Sequence, residues 1–192
     1  MVTPDIVSQR ILPLPPLDRP TGPIESGCIV AAVLVPLIFP VVTVAKESEY
    51  RDNGHILFIR RSETVRHHKG QIAFPGGRWD HDDATLLQTA LRETTEELGP
   101  QARPLQILGA LPSVQTNATG FIIHPFVGLM PEAIHVQPEP REVAGVITVP
   151  LDFFLRQPGN PDSYHFGPHI IWGATARILN RFMLFLRGDS CS

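Results

Sequence analysis

The chain reads as an α/β protein with a mixed β-sheet lying between helices, and three observations predict it. Valine- and isoleucine-rich runs of strand length recur along the sequence, amphipathic helical periodicity appears between and after them, and turn-forming residues separate the two. No internal repeat interrupts this order. Interleaving of that kind favours a sheet covered by helices over a helical bundle or an all-β sandwich.

The elements follow in order. Residues 1–27 contain Leu12-Pro13-Leu14-Pro15-Pro16 and the run Pro20 to Pro23, which predict an extended, poorly ordered arm ahead of a single domain over 28–192. Such an arm could contact a partner subunit in a homodimer, although nothing in the residues requires it. Cys28 to Ala45 is uncharged and mostly apolar for 18 residues, close to the lower limit for a bilayer-spanning helix. Pro36 and Pro40 cut it, and its β-branched content favours two short buried strands. Lys46 to Gly54 turns back polar, and Asp52-Asn53-Gly54 forms a hairpin turn into a strand from His55 to Arg60.

A strand-like run ends at Phe74-Pro75-Gly76-Gly77, and a helix is expected from about Ala84 to Leu98. Leu87, Leu91, Thr94 and Leu98 fall within an arc of roughly 80° on its wheel and face a core. Asp82 or Asp83 can cap its first turn, while Gly99 and Pro100 end it. Leu105 to Leu111, Phe121 to Val127 and Glu142 to Val149 read as strands. Leu151 to Leu155 opens a short helix. Ile170 to Leu186 reads as a long one, with Ile171, Ala174, Ile178, Phe182 and Phe185 on its apolar side and Trp172-Gly173 as a point of close packing.

The chemistry concentrates on the first of these long helices. Glu93, Glu96 and Glu97 lie within about 100° of one another, so their carboxylates should project towards one point, as a hard divalent cation prefers. Glu93 and Glu97 one turn apart destabilise an isolated helix by a few tenths of a kcal/mol unless something positive lies between them. A solvated acidic face, with Arg92 paired to Glu96, is the plain alternative. The glycines tip the balance, because a bare carbonyl at Gly76 or Gly77 can supply a further oxygen ligand. Ahead of them Arg60, Arg61, Arg66 and Lys69 form a basic patch suited to a small phosphorylated ligand.

Composition excludes several classes. The net charge is −3 and the basic residues are scattered, which argues against a nucleic-acid surface. Cys28 and Cys191 make neither a disulfide framework nor a metal-ligand spacing, so a reducing cytoplasm is expected, with no secretory leader and no membrane span. His67, His68 and His124 lack zinc-ligand spacing and read as loop or phosphate-contacting side chains.

The segment from Gly76 to Gly99 resembles the Nudix hydrolase box: Gly, five residues, Glu, seven residues, then Arg-Glu-apolar-x-Glu-Glu-x-Gly-apolar. Arg92 to Gly99 match its second half. The first half is offset by one residue, which makes Gly77 the glycine and Asp83 the acid, and Thr94 and Pro100 replace usual apolar positions. Leu57 to Ser62, Arg66 to Gly77, Gly120 to Val127, Glu142 to Ala144 and Ile171 to Arg177 resemble the signature of the coenzyme A pyrophosphatase subgroup, which carries the same offset.

This resemblance implies an α/β/α sandwich and hydrolysis of coenzyme A, or an oxidised or acylated form, to 3′,5′-ADP and 4′-phosphopantetheine, with Mg²⁺ or Mn²⁺. Glu93 and Glu97 are the expected metal ligands, Glu96 a further ligand or water-holding group, and Gly76 a carbonyl donor. The general base is Glu93 or, second, Glu142; Arg60, Arg61, Arg66 and His68 would contact substrate. Arg92 would orient a glutamate or Asp83. Gly145 stands where subgroup members often carry another Glu. A broader nucleoside-diphosphate pyrophosphatase acting on ADP-ribose or dinucleotides, or a nucleotide-binding module without catalysis, remain the alternatives.

Overall fold

The computed structural model describes residues 2–14, 28–44, 47–50, 54–64, 69–116, 120–159 and 161–188. In chain order these form α1 (Pro4–Arg10), β1 (Ile29–Ile38), β2 (Val41–Val44), β3 (Glu47–Tyr50), β4 (His55–Arg61), β5 (Ile72–Ala73), β6 (Gly76–Arg78) and α2 (Leu86–Leu98). They continue as β7 (Gln106–Ala110), β8 (Val114–Gln115), β9 (Phe121–Met130), β10 (Val143–Pro150), α3 (Leu151–Leu155), β11 (Ser163–Phe166), β12 (His169–Trp172) and α4 (Gly173–Arg187).

The two longest strands, β1 and β9, pair in parallel from Ile29 opposite Phe121 to Ile38 opposite Met130. Antiparallel partners extend the sheet to the order β10-β4-β1-β9-β7, with β5 on β4, β6 on β1 and β8 on β9. The result is a mixed sheet in an α/β architecture. Both faces of its central strands are apolar, as a sheet covered on two sides requires. In β4 successive side chains part to opposite faces. Leu57 and Ile59 pack with Leu86, Ala90 and Leu98 of α2, whereas Ile56 and Phe58 pack with Val7 of α1, Phe154 of α3 and Phe182 of α4.

Several expectations are corrected. Pro36 does not cut the first apolar run, since β1 continues through it to Ile38. Leu34 donates its N–H to Pro75 on the β6 side, and every second residue of a strand points its N–H the same way. The missing N–H of Pro36 therefore falls where β6 pairing has ended at Val33 and β4 pairing has not begun at Leu37, so no ladder bond is lost. Residues 4–10, expected to be extended, are helical: the Thr3 side chain accepts from the Ile6 N–H, and Pro4 occupies the first turn, where its missing donor is harmless. Val7 is fully buried there, and Leu12 pairs with Ala110 at the edge of β7.

The last helix starts at Gly173 rather than Ile170, because Ile170 to Trp172 pair with Ser163 to His165 as a hairpin. Trp172 is exposed and a Cβ on Gly173 would meet open space, so the pair is no packing point. Gly173 has φ of 65°, a left-handed turn between strand and helix. Of the expected Asp52-Asn53-Gly54 turn, only Gly54 lies within the described residues.

Candidate active site

Strand β6 and helix α2 build the site. Pro75, Gly77 and Trp79 form one phase of the β6 ladder, as the bonds from Leu34 N–H to Pro75 and from Trp79 N–H to Val30 show. Gly76 falls between them, so its N–H points away from β1 and donates to Glu97 Oε2 at 2.9 Å. Any side chain at Gly76, where φ is 145°, would drive a Cβ to 2.4 Å from the Ala32 carbonyl oxygen. At Gly77 the space is filled by a functional group instead: a Cβ would lie 2.2 Å from Glu93 Cδ. Two glycines thus let the strand come within contact of both carboxylates.

Helix α2 is capped by Thr85, whose side chain accepts from the Gln88 N–H, rather than by Asp82 or Asp83. Asp83 is released for another task. Buried beside the helix, it receives Arg92 Nε at 3.1 Å, Arg92 Nη2 at 3.0 Å and the Thr89 hydroxyl at 2.8 Å. Burial alone would raise its pKa, but the Arg92 and Thr89 bonds outweigh burial and hold it below the usual value. Arg92 Nη1 then donates to Glu93 Oε1 at 2.9 Å and Glu96 Oε2 at 3.0 Å, and Nη2 reaches the Arg78 carbonyl at 3.3 Å. Arg92 is raised above its ordinary range, chiefly by Asp83. It orients both glutamates, and it pairs with Glu96 as the plain reading also had it.

Glu97 is the outlier. Only 2% exposed, it is pushed up to about 8 by burial, against the pull of the Gly76 N–H and Arg61 and with further upward push from Glu93 and Glu142. Its nearby guanidinium among the described residues, Arg61 Nη1, stands 3.7 Å from Oε1, beyond hydrogen-bond reach. Arg61 Nε is itself buried without a partner among the described residues. Glu93 is also raised, by burial first and then by Glu96 and Glu142, with Arg92 opposing.

Arg92 holds Glu93 and Glu96, while the Gly76 N–H holds Glu97. Among the described residues, the group of three or more acid and imidazole side chains whose ligand atoms gather within 4.8 Å is that of exposed Asp80, His81 and Asp82. There the His81 ring bridges the two aspartates at 2.9 and 3.2 Å.

Glu142 is exposed at the start of β10, close enough for its charge to raise both Glu93 and Glu97. Arg61 alternates with Leu57 and Ile59 onto the α2 face and meets Glu97, whereas Arg60 follows Phe58 to the opposite face and is exposed. The basic patch is therefore divided by the sheet. Lys69 is exposed; Arg66, His67 and His68 lie outside the described residues. His124 stands in β9 rather than in a loop. Sequence reasoning overlooked the Glu97 to Arg61 contact and the Asp83 to Thr89 bond. Strand alternation counted from Leu57 could have found the first.

A buried, under-neutralised carboxylate, a second raised one and a strand that exposes backbone to them make an oxygen-rich donor set that fits a hard divalent ion. A NUDIX domain model matches residues 48–170, and the chain belongs to the Nudix family.

Relatives agree. An uncharacterized Nudix hydrolase, NudL, of Photorhabdus laumondii is 33% identical over 194 residues, covering 92% of this chain and 94% of that protein. A NudL of Yersinia enterocolitica is 35% identical, covering 79% and 78%. Among solved structures, a MutT protein of Methanosarcina mazei superposes with a TM-score of 0.56 at 21% identity, over 83% of this chain and 96% of that one. An Ap4A hydrolase of C. elegans gives 0.54 at 19% identity, over 83% and 98%. The chain is a pyrophosphohydrolase acting on a nucleoside diphosphate-linked substrate, in a family that generally works with divalent ions. No helix among the described residues is long and apolar enough to cross a membrane.

Proposed function

We propose that this enzyme hydrolyses the diphosphate of coenzyme A or its acyl forms to 3′,5′-ADP and (acyl-)4′-phosphopantetheine, with Mg²⁺ or Mn²⁺. The observation that carries a metal-assisted reaction is Glu97, a buried carboxylate with one N–H bond and a loose guanidinium. The coenzyme A assignment rests on the sequence blocks outside the box, from Leu57 to Gly77 and from Gly120 to Arg177.

Glu97 and Glu93 would hold the ion, with Glu96 and the Gly76 carbonyl as further donors. When bound, the ion neutralises phosphate oxygens and favours deprotonation of the attacking water. Glu93 is the first candidate to take the proton, since Arg92 fixes its carboxylate beside Gly77. Glu142 is the second candidate, reached from β10, and Glu142→Gln separates the two. Arg92 keeps Glu93 in place through its bond to Asp83. Arg61, held only loosely by Glu97, would contact a substrate phosphate, with Arg60, Arg66 and His68 as the remaining expected contacts.

Incubating pure protein with coenzyme A, ADP-ribose and diadenosine polyphosphates, with and without Mg²⁺, and weighing the products tests this reading. Preferred cleavage of coenzyme A at its diphosphate is expected. Higher kcat/KM on ADP-ribose would assign the broader pyrophosphatase, and retained turnover in Glu97→Gln would defeat the ligand assignment.

A further inference from the structure

Arg78 follows the two site glycines and the proposed reaction has no use for it. Since Gly77 faces Glu93, strand alternation sends the Arg78 side chain to the opposite face of the sheet. There its guanidinium carbon stands 5.4 Å from the ring centroid of Phe121, a cation–π contact that fixes orientation without cancelling charge. Phe121 is fixed in turn: its N–H donates to the Thr116 hydroxyl at 2.8 Å and its carbonyl accepts from the Thr116 N–H at 2.7 Å.

Two other arginines of the site already have acidic neighbours. Arg92 is bound to Asp83, Glu93 and Glu96, and Arg61 faces Glu97. Farther along the same face as Arg78, Arg177 and Arg181 donate to the carbonyls of Gln115 and Ser113. Exposed Arg78, by contrast, has an aromatic face and no carboxylate as its neighbour among the described residues. Its backbone belongs to the site nonetheless, because its carbonyl holds Arg92 Nη2.

A cation on the far side of β6 from Glu93 cannot serve the scissile diphosphate. It can serve an anionic group displaced from that diphosphate by a spacer. We infer that Arg78, held on Phe121, recognises a second phosphate carried on the ribose of the substrate and so selects a 3′-phosphorylated nucleotide over its unphosphorylated counterpart. The inference rests on the coenzyme A reading and deepens it, since coenzyme A bears that phosphate and dephospho-coenzyme A and ADP-ribose do not.

The test compares kcat/KM on coenzyme A and dephospho-coenzyme A for wild type, Arg78→Gln and Arg78→Lys, and measures binding of 3′,5′-ADP and 5′-AMP by calorimetry. Losing a charge-assisted bond should make Arg78→Gln drop on the order of 10- to 100-fold more on coenzyme A than on the dephospho form, with Lys between. Wild type should bind 3′,5′-ADP more tightly than AMP, and the Gln variant should lose that preference. Equal losses on both substrates, or a preserved preference, overturn the assignment. Wild type that cleaves neither compound overturns the coenzyme A reading instead, and calorimetry then decides Arg78 alone: a 3′,5′-ADP preference that vanishes in Arg78→Gln upholds it, and no preference refutes it.

Discussion

Glu97→Gln removes a charge that the fold tolerates poorly while keeping an oxygen to accept the Gly76 N–H. The wild-type carboxyl is shifted from 4.5 to about 8. At about 1.4 kcal/mol per pH unit, ionising it in the folded state costs on the order of 4–5 kcal/mol, an upper bound. Because the folded-state pKa is raised, this group's favourable contribution is complete below pH 4.5 and is lost as pH climbs through about 8. The folded chain holds more protons than the unfolded one in that window, so stability falls with rising pH. Glutamine does not titrate.

Urea unfolding in EDTA at pH 5, 7 and 9 should therefore show a steep decline for wild type and a shallower one for Glu97→Gln, with the variant the more stable at pH 9. Added Mg²⁺ should restore wild type at pH 9, because an ion that binds the folded carboxylate stabilises the fold by mass action. It should do little for the variant. Parallel pH profiles in EDTA would refute the burial argument; an equal Mg²⁺ response in both proteins would refute Glu97 as a ligand.

Three further outcomes are expected. Arg92→Ala leaves Asp83 buried without its cation and should cost about 2–4 kcal/mol in thermal or urea unfolding, with Asp83→Asn in the same background recovering part of it; a loss under 1 kcal/mol would mean that Asp83 does not depend on Arg92. Gly77→Ala pushes against Glu93 Cδ, so kcat should drop roughly 10- to 100-fold from a displaced carboxylate while the circular dichroism spectrum stays native; wild-type kcat would show that Glu93 position does not matter. Val7→Ala, in the helix that covers α4 and β7, should lower stability by about 2 kcal/mol, and an unchanged melting temperature would return residues 4–10 to the status of a loose arm.

How far the sequence is legible depends on the range of the interaction that decides each feature. Strands β4, β7 and β9, helix α3 and the end of α2 were readable because alternation, periodicity and Gly99-Pro100 act within a few residues. Helix α1 was not, because Thr3 and Pro4 are a local start signal outweighed by the proline-rich run that starts at Pro13, after the helix has ended. Pro36 misled for the opposite reason. A proline in a central strand is tolerated only where its neighbours change, and that exchange between β6 and β4 is a tertiary fact. The long final helix was extended by three residues because Ile170 and Ile171 suit either period, and only their pairing with His165 and Tyr164 decides.

At the site, the wheel groups Glu93, Glu96 and Glu97 on one ridge but cannot rank them. Their ranking comes from what each meets: Glu96 meets water and Arg92, Glu93 meets Gly77, and Glu97 meets the buried N–H of Gly76 with a guanidinium too distant to donate. Three residues of one type on one helix thus acquire three environments, because β6 runs past the ridge and covers its Glu97 side. The strand needs Gly76 and Gly77 to come so close. The sequence pattern joining a double glycine to a glutamate cluster records this contact between strand and helix, and it is the contact, rather than the helix alone, that leaves a carboxylate buried and short of positive charge.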